Sequence, residues 1–152
     1  AIQAERPDQV ETEVFVYGRL PLAYSARCFT ARHHNLPKDD CRYRCLDDPE
    51  GLTLSTREGQ AFLAINGIQT QSAQTCNLLP ELAELRELRV DALRISPQAE
   101  GTAAVIEAFA ACLRGERDPV EAARALNAAL PHGACDGYWR GQPGLRQVAE
   151  LA

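Results

Sequence analysis

Three cysteines fall in one short run, S-A-R-C-F-T-A-R-H-H-N-L-P-K-D-D-C-R-Y-R-C. Twelve residues separate Cys28 from Cys41, and three separate Cys41 from Cys45. A short cysteine pair with a third cysteine one loop away can converge on one metal centre, because thiolates are the ligands that hold iron–sulfur clusters and zinc. The spacing points to a metal ahead of disulfides and does not choose the metal. If Cys41 to Cys45 is a helical turn, its two sulfurs share one face, and Cys28 comes from the adjacent segment.

The surroundings of these cysteines are basic. From Arg19 to Cys45 there are six cations (Arg19, Arg27, Arg32, Lys38, Arg42, Arg44) against Asp39 and Asp40, although the whole chain carries −5. Positive charge lowers a thiol pKa and favours thiolate ligands; a solvated basic loop is the plainer reading. The overall acidity argues against a general nucleic-acid binder, which needs a basic surface. The six cysteines could make three disulfides in a secreted protein. A chain of 152 residues rich in Leu and Ala does not need such staples. A reducing, cytoplasmic setting is expected. Cys112, in F-A-A-C-L, reads as a buried small hydrophobe and Cys135, in H-G-A-C-D-G, as structural. No apolar run is long enough to cross a bilayer. The opening A-I-Q-A-E-R-P-D-Q-V lacks the regions of a secretory signal. With Ala1 first and no Met anywhere, the chain is expected to be a piece of a longer protein.

Along the chain, Glu11 to Tyr17 alternates and reads as a strand ended by Gly18. Leu20 to His33 is partly helical in pattern, with Pro21 in its first turn, and His34 to Gly51 is a loop. Leu52–Thr56 and Ala61–Ile65 read as a hairpin, followed by a turn at Asn66-Gly67. Leu78, Leu79, Leu82, Leu85 and Leu88 recur at helical spacing, predicting a helix over Ala73–Leu88. Val90–Ile95 reads as a strand and Thr102–Arg114 as an Ala-rich helix. Asp118-Pro119 opens a further helix that runs to about Leu130. Residues 132–144 are Gly-rich and irregular. Strand–helix–strand order implies α/β architecture with a parallel sheet. The strands are too few to close a (β/α)₈ barrel, which takes about 250 residues. A partial (β/α) barrel-like fold, or a small α/β domain, is expected.

E-V-F-V-Y-G at Glu13 to Gly18, followed by Y-S-A-R-C at Tyr24 to Cys28, resembles the signature of the collagenase-like peptidase family. That signature runs roughly Glu-x-Phe-x-[His/Tyr]-Gly, then Ser-Gly-x-Cys. The closer likeness is to its UbiV-type branch, which works in O₂-independent ubiquinone biosynthesis. L-A-Y-S-A-R-C-F-T-A-R-H-H-N-L-P-K-D-D-C-R-Y-R-C, I-N-G-I-Q-T-Q-S and L-R-I-S-P-Q carry that likeness. The broader family often has a cysteine where Pro21 stands, and Ser25-Ala26-Arg27-Cys28 replaces its Ser-Gly-x-Cys; Pro21 fits the UbiV-type branch.

The resemblance implies that residues 11–145 are the C-terminal half of a longer barrel, after a polar lead-in over 1–10 and before a tail over 146–152. It implies a [4Fe–4S] cluster held by Cys28, Cys41 and Cys45, with the fourth ligand outside this chain; Cys76 is the internal alternative, against a packed helix-start cysteine. It also implies a heterodimer with a UbiU-like partner and a prephenate-like oxygen donor.

Other readings stand beside this one. His33 and His34 make a Cys₃His zinc site conceivable, against a surface histidine pair; a cysteine-rich zinc or metal-free interaction domain is the alternative. A peptidase-like hydrolase needs a nucleophile with an adjacent base. Ser25 lies near the two histidines in sequence, yet neither G-x-S-x-G nor H-E-x-x-H occurs. Arg94, at a strand end, could grip a carboxylate bidentately. Asn66 and Gln69 are the other polar substrate-binding candidates. Glu13 is expected to buttress an arginine of the cysteine loop rather than face a substrate, and Tyr138 and Trp139 to pack or contact a partner.

Overall fold

The computed structural model describes residues 2–148. It is a mixed α/β fold on a six-stranded sheet that does not close. The strands are β1 (Glu13–Tyr24), β2 (Leu52–Ser55), β3 (Ala61–Asn66), β4 (Gln69–Asn77), β5 (Ala92–Ile95) and β6 (Ala134–Cys135). Their order is β2-β3-β4-β1-β5, with β6 paired to β4. The expected parallel architecture holds for β1/β5 and β4/β6 only; β1/β4, β2/β3 and β3/β4 are antiparallel.

β1 runs straight through Gly18, where a stop was expected, and through the residues read as helical. Pro21 brings no backbone N–H to a ladder, and the β1/β4 register shifts on either side of it. At this irregularity the Leu20 N–H donates to Ser72 Oγ at 2.8 Å, so a side chain of β4 takes up that donor where the ladder breaks. Helix is confined to α2 (Phe29–His33).

The helix expected over Ala73–Leu88 splits. Its first part is β4, a strand with buried Ser72, Gln74, Thr75 and Asn77. Each of these makes a hydrogen bond, although Gln74 Oε1 is buried without a partner. Ser72 Oγ donates to the Gln74 carbonyl, Gln74 Nε2 to the Ala61 carbonyl, and Asn77 Nδ2 to Asn127 Oδ1; Thr75 is held through its backbone. Asn77 Oδ1 then accepts from Leu79 N at 3.1 Å and turns the chain into a 3₁₀ turn over Leu79–Glu81 and a short helix α3 (Leu82–Glu87). α4 (Thr102–Leu113) buries Val105, Ala108, Phe109 and Cys112, one stripe at helical spacing. α5 (Pro119–Asn127) is capped by Asp118, which accepts from Glu121 N at 2.9 Å. The core lies between the sheet and these helices. Val16, Leu79, Leu82 and Leu85 fill it, and Tyr17 meets Phe109 edge-on at 6.1 Å.

The N-terminal lead-in carries a one-turn helix, α1 (Ile2–Glu5), and is tied down by Asp91. Hydrogen bonds from the Thr12 backbone and hydroxyl, then the Arg6 guanidinium, hold the Asp91 carboxyl below the ordinary value of 3.8. A depressed folded pKa gives stability that is present above the unfolded value and lost as pH falls through the folded one. Asp91→Asn is therefore expected to lower the urea midpoint at pH 7, with the gap to wild type closing as the pH is taken below the ordinary carboxyl value of 3.8. An equal gap at both pH values would refute the assignment. The expected tail falls partly on residues 149–152, outside the described residues.

Candidate metal centre

The cysteine run hangs from the end of β1, and the β3–β4 hairpin holds its first part. Ser25 N donates to the Ile68 carbonyl and Phe29 N to the Gly67 carbonyl, both at 2.8 Å, and Gly67 N donates to Thr30 Oγ1 at 3.1 Å. Cys28 is fixed between these bonds and caps α2, its Sγ accepting from Ala31 N at 3.4 Å. The chain then passes through left-handed Asn35 and a 3₁₀ turn at Lys38–Asp40 to Cys41. Arg42 and Tyr43 both have positive φ, and a second 3₁₀ turn at Arg44–Leu46 carries Cys45 back against α2.

Cys41 and Cys45 thus do not share a helical turn, because two left-handed residues stand between them. All three cysteines are free and partly exposed. Among the described residues, no group of three or more His, Cys, Asp or Glu side chains is placed to hold a metal ion. The donor chemistry suits an iron–sulfur cluster, and the described residues alone do not form a closed ligand set. The Cys₃His alternative is likewise unassembled: the His33 and His34 rings pack edge-on against each other at 5.1 Å.

Five of the six cations stay in this region. Arg44 pairs with Asp47 at 3.0 Å and Lys38 Nζ donates to the Ala26 carbonyl. Arg19 does not belong with them. It is 4% exposed, deep in the sheet, with its guanidinium on the Glu50 carbonyl and carboxylate at 2.6 and 3.1 Å.

The substrate-binding candidates divide. Asn66 and Gln69 face each other across the β3–β4 hairpin beside Cys28, and Gln69 Nε2 donates to Tyr24 Oη at 2.8 Å. Arg94 pairs opposite Phe15, and its guanidinium meets Glu13 at 2.5 Å. Eight residues of β1 separate Phe15 from Tyr24, about 25–30 Å of strand, so Arg94 does not share a site with Asn66 and Gln69. Glu13 buttresses Arg94, not an arginine of the cysteine loop. Cys76 lies opposite Gly18 on β4 and next to Cys135 on β6. Side chains alternate along a strand, which turns Cys76 away from the face that holds Thr75, Arg19 and Glu50. Trp139 Nε1 donates to Glu84 at 3.0 Å, a packing role.

The sequence model of peptidase family U32 matches residues 1–148. The chain belongs to this family. No solved structure matches it. Among the described residues of this U32 chain, no serine or cysteine is hydrogen-bonded to a histidine; His132 Nε2 lies 3.3 Å from Thr53 Oγ1, and Ser25 Oγ accepts from Arg27 N. No helix among the described residues is long and apolar enough to cross a membrane.

Burial separates the six thiols into two classes. Burial, with the neighbouring Cys135 and Asp136, pushes the Cys76 thiol up to about 12; burial and Asp136 push Cys135 up to about 11. Cys112 is also raised, first by burial. Thiolate is the reactive form, so iodoacetamide at pH 8 is expected to label Cys28, Cys41 and Cys45 of the reduced, metal-free protein. Labelling of Cys76, Cys112 and Cys135 should follow only on adding denaturant. Peptide mass spectrometry reads the order, and early labelling of Cys76 or Cys135 would contradict it.

Proposed function

We propose that this U32 chain is the C-terminal half of a barrel-like, UbiV-type iron–sulfur protein. In this reading it acts in the cytoplasm with a UbiU-like partner in the O₂-independent hydroxylation of ubiquinone biosynthesis, with a prephenate-like oxygen donor. Cys28, Cys41 and Cys45 hold three corners of a [4Fe–4S] cluster, and the fourth ligand comes from outside the chain. The observation that carries this reading is the anchoring of Cys28 by the β3–β4 hairpin while Cys41 and Cys45 stay accessible on a folded-back loop. Cys41 is right-handed and Arg42 has positive φ, and such a pair aims successive backbone N–H groups into a concavity that suits anionic clusters. The placement of Cys76 favours an external fourth ligand. A bound cluster would supply one-electron chemistry. The chain's own residues fix Cys28, shield its flank with α2, and offer Asn66 and Gln69 as polar contacts nearby. A peptidase reading lacks a nucleophile–base pair among the described residues.

The test is anaerobic purification of the full-length parent and of this chain, with iron, sulfide and zinc assayed per chain. About four irons and four sulfides are expected in the parent, lost in Cys28→Ala and Cys45→Ala. Zinc alone, or no metal, would leave the interaction-domain reading.

A further inference from the structure

Cys76 and Cys135 are a pair of nucleophiles outside the cysteine loop. They lie on neighbouring strands, β4 and β6, and are direct partners in the parallel register. Paired residues of adjacent strands stand about 4.7–4.9 Å apart and send their side chains to one face, and a disulfide spans Cα separations of about 4.4–6.8 Å. Both thiols are free, and both line one cavity of about 210 Å³ with Phe15, Leu20, Leu78 and Trp139. They are near enough for charge on Cys135 to raise the Cys76 thiol. Among the described residues no third donor completes a metal site around them, so the chemistry left to two thiols on one face is with each other.

What such a bond would hold is the C-terminal loop. β6 has two residues, and its ladder to β4 has two pairs, Thr75 with Ala134 and Cys76 with Cys135. The loop that follows is closed on itself, since Asp136 N and Gly137 N both donate to the Arg146 carbonyl. It meets the start of α3 through Trp139 on Glu84 and Arg140 on Glu81. A covalent bond at the last ladder pair would fasten this loop to the sheet where two backbone pairs now do so.

We propose that Cys76 and Cys135 form a reversible disulfide on exposure to hydrogen peroxide and so latch the loop over 136–148 to the sheet. Cys76, 6% exposed against 0% for Cys135, meets the peroxide, which is small enough to enter the cavity. Its sulfur attacks the O–O bond and becomes a sulfenic acid, and the departing hydroxide takes the thiol proton and leaves as water. The Cys135 sulfur then displaces the sulfenic hydroxyl, which leaves with the Cys135 proton as a second water. Two thiols and one peroxide thus give one disulfide and two waters. Burial keeps both thiols protonated and slows the first step. A thiol of high pKa is also a slow leaving group, so the bond resists exchange once made. The latch does not rest on the iron–sulfur reading, since Cys28, Cys41 and Cys45 lie on other elements.

The experiment treats the reduced, metal-free full chain with hydrogen peroxide, blocks the remaining thiols with iodoacetamide after unfolding, and maps linked peptides by mass spectrometry. A link between Cys76 and Cys135 that dithiothreitol reverses is expected. It closes a loop of some sixty residues and should raise Tm by about 5–10 °C. Cys76→Ser and Cys135→Ser, each compared with and without peroxide, should lose that rise, so a change in the basal stability of either variant does not enter the comparison. In denaturing guanidinium the links should scatter over the six cysteines. Peroxide that leaves Cys76 and Cys135 unlinked to each other, links them without raising Tm, raises Tm equally in Cys76→Ser, or gives the same preference in guanidinium would overturn the proposal.

Discussion

Replacing Gly18 by alanine is expected to cost about 3–4 kcal/mol of stability, a large share of the roughly 5–15 kcal/mol available to a domain. Two effects add. Gly18 holds φ at +123°, a region that L-residues rarely enter. A Cβ there would stand 2.6 Å from Ser96 Cβ and 3.0 Å from the Ser96 carbonyl oxygen. Neither atom is the loose end of a flexible chain. Ser96 N is itself held by the Tyr17 carbonyl at 2.8 Å, so relief requires β5 to move off β1. Gly59 separates the two effects. Its φ is also positive, at +84°, but nothing lies within 4 Å of its would-be Cβ. Gly59→Ala should therefore cost only about 1 kcal/mol, the backbone part alone. Urea unfolding of both variants makes the comparison, and equal losses would show that the close approach at Ser96 is not what requires glycine.

Gly18 also explains where local pattern stopped being informative. A glycine after E-V-F-V-Y is an ordinary strand terminator in sequence. Here it is the point at which β5 ends against β1 while β1 continues to pair with β4. Nothing within a few residues of Gly18 encodes that close approach; it depends on β5, some seventy-five residues further on. The same holds for β4. Q-T-Q-S-A-Q-T-C-N looks like a polar lead into a leucine-rich helix, and the strand forms because β1, β3 and β6 pair with it and Gln74 Nε2 and Asn77 Nδ2 find distant acceptors. By contrast, the β2–β3 hairpin, the Asn66-Gly67 turn, α4 and the Asp118-Pro119 start of α5 carry their own local signals, and these were legible.

The site divides in the same way. Cys28, Cys41 and Cys45 stood out because residue type and spacing are local. Arg19 was grouped with the basic residues by proximity in sequence, although strand geometry carries it to the far end of the cysteine loop, onto Glu50. An arginine set among apolar residues of a strand is the signal that could have marked it: a buried guanidinium needs designated partners. Arg94 failed to join Asn66 and Gln69 because the two ends of a twelve-residue strand lie too far apart.

Arg140→Ala is the other substitution expected to have a large effect. Glu81 sits in the 3₁₀ turn that leads into α3, with its side chain 7% exposed, and Arg140 Nη2 reaches Glu81 Oε1 at 2.5 Å. Removing the cation leaves a carboxylate buried without its counter-charge. A fully buried pair broken in this way costs 3–5 kcal/mol, but Arg140 is 39% exposed and partly screened by water, which brings the expectation to about 2–3 kcal/mol. Glu81→Gln removes the charge from the buried side instead and leaves a half-exposed arginine that water can solvate. It should cost only about 1 kcal/mol, and this asymmetry between the variants separates a desolvated carboxylate from simple loss of packing. Arg140 also belongs to the loop whose Tyr138 and Trp139 line, with Cys76 and Cys135, a pocket of about 210 Å³. Loosening that loop should admit reagent to both cysteines, so Arg140→Ala should bring forward their alkylation in the absence of denaturant, while Glu81→Gln should do so less. Equal destabilisation by the two variants, with both cysteines still protected, would mean that the pair neither compensates a buried charge nor holds the loop closed.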